Sequence, residues 1–383
     1  PAKLNLSKNY PNAEIAMNMK AKFSGDKIDN LKGAILVEDG YYKNRFGDFD
    51  LKGLQLLSVP GEVSSELKFT SSYFDIDING KYEFQNIAYA FQQNINQFLP
   101  SFNFKTPKNL EANIFNFKLN VKNINEITEV FAPGLKFETP FFLYGKMNSE
   151  EATIELEGSI PKMDYKNVSI KDIFIGNKII DDHYSSKFNF GEVTHSRGIH
   201  LFDFSITSEI AFDVIDNKIE WRNKNDSLHY STIKTRSVFT KSNSTSSNFP
   251  KVWVEFVPSS IYIADAKWQY KRFVSVIDSS FIKINNFNLT HGDQKVQING
   301  NISKDSTEVV KVDIKNINLE DLTQKLDDNK SFQGVLNCTV NLSDLYRQPV
   351  IITDVTIDSL RFKNQYIGNV FLTSYWDKIN STI

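Results

Sequence analysis

A single cysteine, Cys338, is all the thiol chemistry the 383 residues carry. That count excludes an internal disulfide framework and a cysteine-based metal cluster. It leaves the compartment open, because an oxidising space also hosts disulfide-free folds. Net charge is nearly absent too, with 44 Lys and Arg against 46 Asp and Glu. Without a dominant sign the chain has nothing to steer a polyanion, so nucleic acid is not an expected partner. Apolar runs are short, as in Ala34 to Val37 and Phe141 to Tyr144, far below the roughly 18 to 20 residues of a spanning helix. The signatures GxSxG, HExxH, GxxxxGKS/T and GxGxxG are missing, and neither a cofactor nor an enzymatic activity is expected.

What the chain has in quantity is alternation. Phe74, Ile76 and Ile78 alternate with Asp75, Asp77 and Asn79, and Ile154 and Leu156 with Glu155 and Glu157. Val296 and Ile298 flank Gln297, Val312 and Ile314 flank Asp313, and Leu336, Cys338 and Val340 are separated by Asn337 and Thr339. A period of two puts successive side chains on opposite faces, so each segment reads as a strand with one apolar and one wet face, the habit of antiparallel sheets. Glycine recurs after an apolar and a polar residue, as in Ile78-Asn79-Gly80, Leu156-Glu157-Gly158 and Ile298-Asn299-Gly300. These glycines are expected at hairpin turns or bulges. The expected fold is all-β, a long curved antiparallel sheet forming an open apolar groove, or half-pipe, with a few short helices.

Helix signals are few. Phe84, Ile87, Ala88, Phe91, Ile95 and Phe98 share one face of a 3.6-residue period before Pro100, which predicts an amphipathic helix over 83–98 packed on a sheet. A short helix is expected over 126–131 with Asn125 as its cap and Pro133 as its stop, and another at Leu319, Leu322 and Leu326. Serine-rich residues 241–250 read as a loop, dividing an N-terminal part of the groove, 1–240, from a C-terminal part, 251–383.

Candidate chemistry has an ordinary explanation at each place. His183, His195 and His200, with Asp181 and Asp182, contain metal-ligand types. On a strand, however, His195 and His200 face opposite sides unless Gly198 turns the chain, and no metal is expected. The pairs Asp48/Asp50, Asp75/Asp77 and Glu155/Glu157 have a spacing compatible with glycoside chemistry, yet each stands opposite apolar residues, as the wet face of a strand requires. The unusual quantity is one-sided sheet. Closed into a barrel or paired as a sandwich it would bury its apolar face; curled into an open trough, it would need a hydrophobic cargo. The residues expected to line that trough are Phe74, Ile76, Ile78, Ile154, Leu156, Val296, Ile298, Val312, Ile314, Leu336 and Val340.

Four stretches, taken in order along the chain, resemble the TamB-like translocation and assembly module proteins of the wider AsmA-like group, in the form found in Bacteroidota. They are Leu31-Lys32-Gly33 through Gly47-Asp48-Phe49, Phe131-Ala132-Pro133-Gly134-Leu135-Lys136, Leu289-Thr290-His291-Gly292-Asp293-Gln294 through Ile298-Asn299-Gly300, and Ser343-Asp344-Leu345-Tyr346 through Ile367-Gly368-Asn369. The resemblance implies an interior piece of a periplasmic protein, with an inner-membrane anchor and a segment that meets an outer-membrane assembly barrel both lying outside it. It also implies phospholipid acyl chains as cargo moving between the two membranes, or a scaffold role in outer-membrane protein assembly.

Overall fold

In the computed structural model, residues 13–25, 30–180, 183–224, 226, 228–241, 249–263, 265–323, 332–363 and 365–377 are described. The chain divides into two compact units, Pro1–Phe98 with Phe104–Ser196, and Leu99–Asn103 with Arg197–Ile383.

The first unit holds β1 (Glu14–Ser24), β2 (Lys32–Asn44), β3 (Gly47–Asp50), β4 (Gln55–Val59), β5 (Ser65–Thr70), β6 (Phe74–Lys81), α1 (Ile87–Phe98), β7 (Ile114–Val121), α2 (Asn125–Phe131), β8 (Leu135–Phe137), β9 (Phe141–Asn148), β10 (Thr153–Tyr165), β11 (Val168–Ile180) and β12 (His183–His195). The second holds β13 (Ile199–Ala211), β14 (Val214–Arg222), β15 (Tyr230–Thr240), β16 (Lys251–Val257), β17 (Ser259–Ile263), β18 (Ala266–Tyr270), β19 (Phe273–Ile277), β20 (Phe281–His291), β21 (Gln294–Ser303), β22 (Val309–Asn318), α3 (Leu319–Thr323), β23 (Phe332–Ser343), β24 (Val350–Phe362) and β25 (Gln365–Asp377). Pairing is antiparallel throughout, mostly between sequence neighbours, and the sheet is open: β1 pairs only with β2 and β25 only with β24 among the described residues. A meander of hairpins is what short turns between alternating segments produce, and the expected all-β class with few helices is what the chain adopts.

Three local expectations need correction. Gly80, Gly158 and Gly300 lie inside β6, β10 and β21, not at turns. Gly80 and Gly300 have φ of +137°, and a Cβ on them would come within 2.2 Å of the Ile114 carbonyl oxygen and 2.1 Å of the Val309 carbonyl oxygen. They are places where a neighbouring strand comes too close for any side chain.

The first helix begins at Ile87, not near 83, because the Glu83 amide donates to Asn113 Oδ1 at 2.8 Å and holds the preceding residues in a turn. Its buried side is Ala90, Asn94 and Phe98, with Phe91 48% exposed, so the helix is rotated from the face its apolar spacing predicts. Asn125 does not cap α2: Ile124 holds that position, and the Asn125 amide instead accepts from the Phe137 N–H and donates to its carbonyl, clipping β8 to the helix.

Of the 241–250 loop, residues 242–248 lie outside the described residues. The strands it joins, β15 and β16, are neighbours paired Phe239 to Val252 within the second unit. Helix α3 covers Leu319 and Leu322, while Leu326 lies outside the described residues. No helix among the described residues is long and apolar enough to cross a membrane.

Candidate functional site

Directly opposed residues in an antiparallel pair point to the same face, so the strand register shows which side chains stand together. In the first unit, Phe74, Val121 and Phe141 oppose one another across three strands, and Ile160, Ile173 and Phe190 do so across the next three, packed together in one cluster as the first rung. The next reads Ile76, Leu119, Leu143, Gly158, Ile175 and Phe188, and the one after it Ile78, Phe117, Gly145, Leu156, Asn177 and Ser186. A fourth contains Phe115, Met147 and Ile154. The five lining residues expected in this unit therefore stand on one face, in four successive rungs.

That face is packed unevenly. Val121, Phe141, Ile160 and Ile173 are buried in a cluster that includes Phe74 and receives Ile124, just ahead of α2. Beside it, an apolar cavity of about 260 Å³ is lined by Phe49, Leu54, Phe69, Tyr73, Phe74 and Ile127. The α2 helix is moored there, as the Asn44 amide donates to the Val130 carbonyl and the Tyr73 hydroxyl donates to Glu126 at 2.9 Å. At the other end of the face, Phe98 of α1 packs its ring 5.8 Å from that of Tyr184, whose hydroxyl pKa burial pushes up. Ile76, Ile78, Ile154 and Leu156, half-buried, lie outside the packed cluster.

In the second unit one rung runs Leu289, Val296, Ile314, Cys338, Val355 and Leu372, and the next Phe287, Ile298, Val312, Val340 and Thr353. Leu336 is on the same face as Cys338 and Val340, opposite Ile317 beyond a bulge. Val296, Ile314 and Leu336 pack against a core of Trp268, Tyr270, Phe273, Leu289 and Ile317. Ile298, Val312 and Val340 are half-buried and stand outside that core. The alternation thus places all six on one face, but half of them also serve as ordinary packing.

The opposite faces are wet. Asp75 pairs with Lys122 at 2.7 Å and Glu155 with Lys146 at 3.6 Å. Glu155 and Glu157 edge a depression of about 390 Å³ with Tyr144, Phe174, Lys178 and Lys187, and a hydrogen bond to Glu157 raises the Tyr144 pKa. Asp50 accepts from the Lys52 amide. Each carboxylate pair is met by cations or amides along the strand surface, as solvation of a polar face requires.

His183 and His195 occupy opposite ends of β12, roughly 40 Å apart at the usual strand rise, and His200 lies in β13. Asp181 and Asp182 lie outside the described residues. Among the described residues, no three His, Cys, Asp or Glu side chains converge as a metal site would need.

Sequence reasoning missed Phe117, Leu119, Leu143, Ile175 and Phe188 on the apolar face. The signal was present in the alternation Phe115-Asn116-Phe117-Lys118-Leu119-Asn120-Val121, whereas Gly145 and Gly158 interrupt it in β9 and β10. No protein-family model, curated protein or solved structure matches the chain.

Proposed function

We propose that the chain is a conduit for phospholipid acyl chains, part of a periplasmic protein that passes lipid between inner and outer membranes and so supports outer-membrane biogenesis. The observation that carries this reading is the recurrence, within each unit, of largely apolar rungs across neighbouring strands of an open sheet, in which Ile76, Ile78, Leu156, Ile298, Val312 and Val340 are left half-buried outside the packed clusters. Burying a chain of roughly 16 carbons gains on the order of 12 kcal/mol gross, enough to trap lipid in a single pocket. Along a row of equivalent rungs each step exchanges one apolar contact for another, so the barrier to sliding is far smaller than the binding energy. The headgroup stays in water at the rim, and no residue needs to make or break a bond. Direction comes from supply and removal at the two ends.

A charge in the path tests this reading. An unpaired carboxylate beside a passing acyl chain costs several kcal/mol. Ile298→Asp, outside the packed core, is expected to slow transfer of phosphatidylethanolamine between donor and acceptor vesicles by tenfold or more. Lys315→Asp on the wet face leaves transfer unchanged. Both variants must first show the parent's β content and melting temperature, and undiminished transfer by a folded Ile298→Asp variant would overturn the conduit.

One observation favours a second reading, a scaffold for outer-membrane protein assembly. The outermost described strands carry exposed apolar side chains, Met19 and Phe23 on β1 and Ile367, Phe371 and Leu372 on β25. Such an edge can accept an incoming strand by β-augmentation. Photocrosslinks from β25 that recover polypeptide and no lipid would favour that role.

A further inference from the structure

On the apolar face of the second unit, β13, β14 and β15 carry a row of polar residues. Ile206, Ile219 and Ile233 oppose one another across β13, β14 and β15, and Ile210, Ile215 and the buried Ser237 do so two residues along; between these rungs stand Ser208, Asn217 and Thr235. All three are half-buried and bonded in a row: the Ser208 hydroxyl donates to Asn217 Oδ1 at 2.6 Å, and Asn217 Nδ2 donates to Thr235 Oγ1 at 3.4 Å. Cross-strand Ser, Thr and Asn pairs knit sheets together, but this row leaves donors over. An amide has two N–H groups and a threonine hydroxyl its own proton, and among the described residues the second Asn217 N–H and the Thr235 proton have no recorded partner.

We propose that this rung binds the ester carbonyl oxygens of a diacyl lipid, making it the place on the face that tells an ester-linked glycerolipid from a bare hydrocarbon chain. The inference rests on the acyl-chain reading above. Surplus donors on a half-buried row beside isoleucines, open to water when no ligand is bound, suit a ligand that brings acceptors without donors and enters with apolar chains on both sides, which describes the acyl ester junction. A phosphate also accepts, but it needs cations, and Lys218, Lys234 and Arg236, next in sequence to Asn217 and Thr235, alternate onto the opposite face. A neutral acceptor fits what is left. Loss of a neutral hydrogen bond under an occupying chain leaves donors unsatisfied, corresponding to about a five- to tenfold change in affinity.

The test uses the whole chain and two probes with the same headgroup and chain length, diacyl phosphatidylethanolamine and its dialkyl ether analogue, which lacks both carbonyls. The parent is expected to bind the diester about five- to tenfold more tightly than the diether. Asn217→Leu with Thr235→Val, both compatible with a strand, should abolish the preference while retaining the diether affinity. Thr235→Ser, which keeps the hydroxyl, should retain the preference. Equal binding of both lipids by the parent overturns the carbonyl assignment and leaves the acyl-chain reading standing, and so does a preference that survives the double substitution. Binding of neither lipid overturns both. If the double variant melts below the parent, Thr235→Val alone is measured, and an unchanged ratio in that folded variant counts against the proposal.

Discussion

Asp226 and His229 show how a local contact sets a titration. The imidazole Nδ1 lies 2.8 Å from one Asp226 carboxylate oxygen and 2.9 Å from the other. That contact, with the backbone N–H groups of His229 and Leu228, holds the carboxyl at about 2 against an ordinary value of 3.8. A depressed folded pKa contributes stability that is complete above 3.8 and is lost as the pH falls through about 2. His229→Ala should therefore move the Asp226 carboxyl titration, followed by NMR, up toward 3.8, and the stability difference from the parent should vanish below about pH 2. A midpoint unmoved by the substitution would mean that the imidazole does not hold the carboxylate. Asn94 presents the opposite case. It is 1% exposed on α1, with neither amide atom partnered among the described residues. Such a group costs about 1–3 kcal/mol, so Asn94→Leu, close in volume, should raise the denaturation midpoint, whereas a fall would show that the amide serves a bond in solution.

At the scale of the element, alternation was the legible part. Segments such as Phe74–Lys81 and Gln294–Ser303 announce a strand and both its faces by residue type alone, because a period of two leaves no freedom in where side chains point. Less legible was anything decided by a distant partner. The start of α1 depends on Asn113, and the clip at Asn125 depends on Phe137, neither of which has a local signature. The glycines misled for a related reason: glycine permits a turn, but it equally permits a close approach within a strand, and only the neighbouring backbone decides between them. Gly300→Ala tests this, since it adds a Cβ 2.1 Å from the Val309 carbonyl oxygen at a φ of +137°. It should cost about 2–3 kcal/mol or more in chemical denaturation. Loss of less than about 1 kcal/mol would show that β21 and β22 can part there freely.

For the molecule as a whole, the proposed function rests on the apolar faces of the two units. The sequence indicated which residues share a face, but not which of them are consumed by packing: Val296, Ile314 and Leu336 look identical in pattern to Ile298, Val312 and Val340, and only the aromatic core of Trp268, Tyr270 and Phe273 separates the two sets. That separation chooses the positions for the most direct test. A photoreactive benzoylphenylalanine is placed at Ile76, Leu156, Ile298 or Val312 on the apolar faces, and at Asp77 or Lys311 on the wet ones. Each folded variant is then irradiated with phosphatidylethanolamine vesicles and its adducts identified by mass spectrometry. Acyl-chain adducts from the four apolar-face positions, and none from the two wet-face positions, are the predicted result. Adducts in equal yield from both faces, or none from the apolar faces, would contradict the claim that these faces carry lipid.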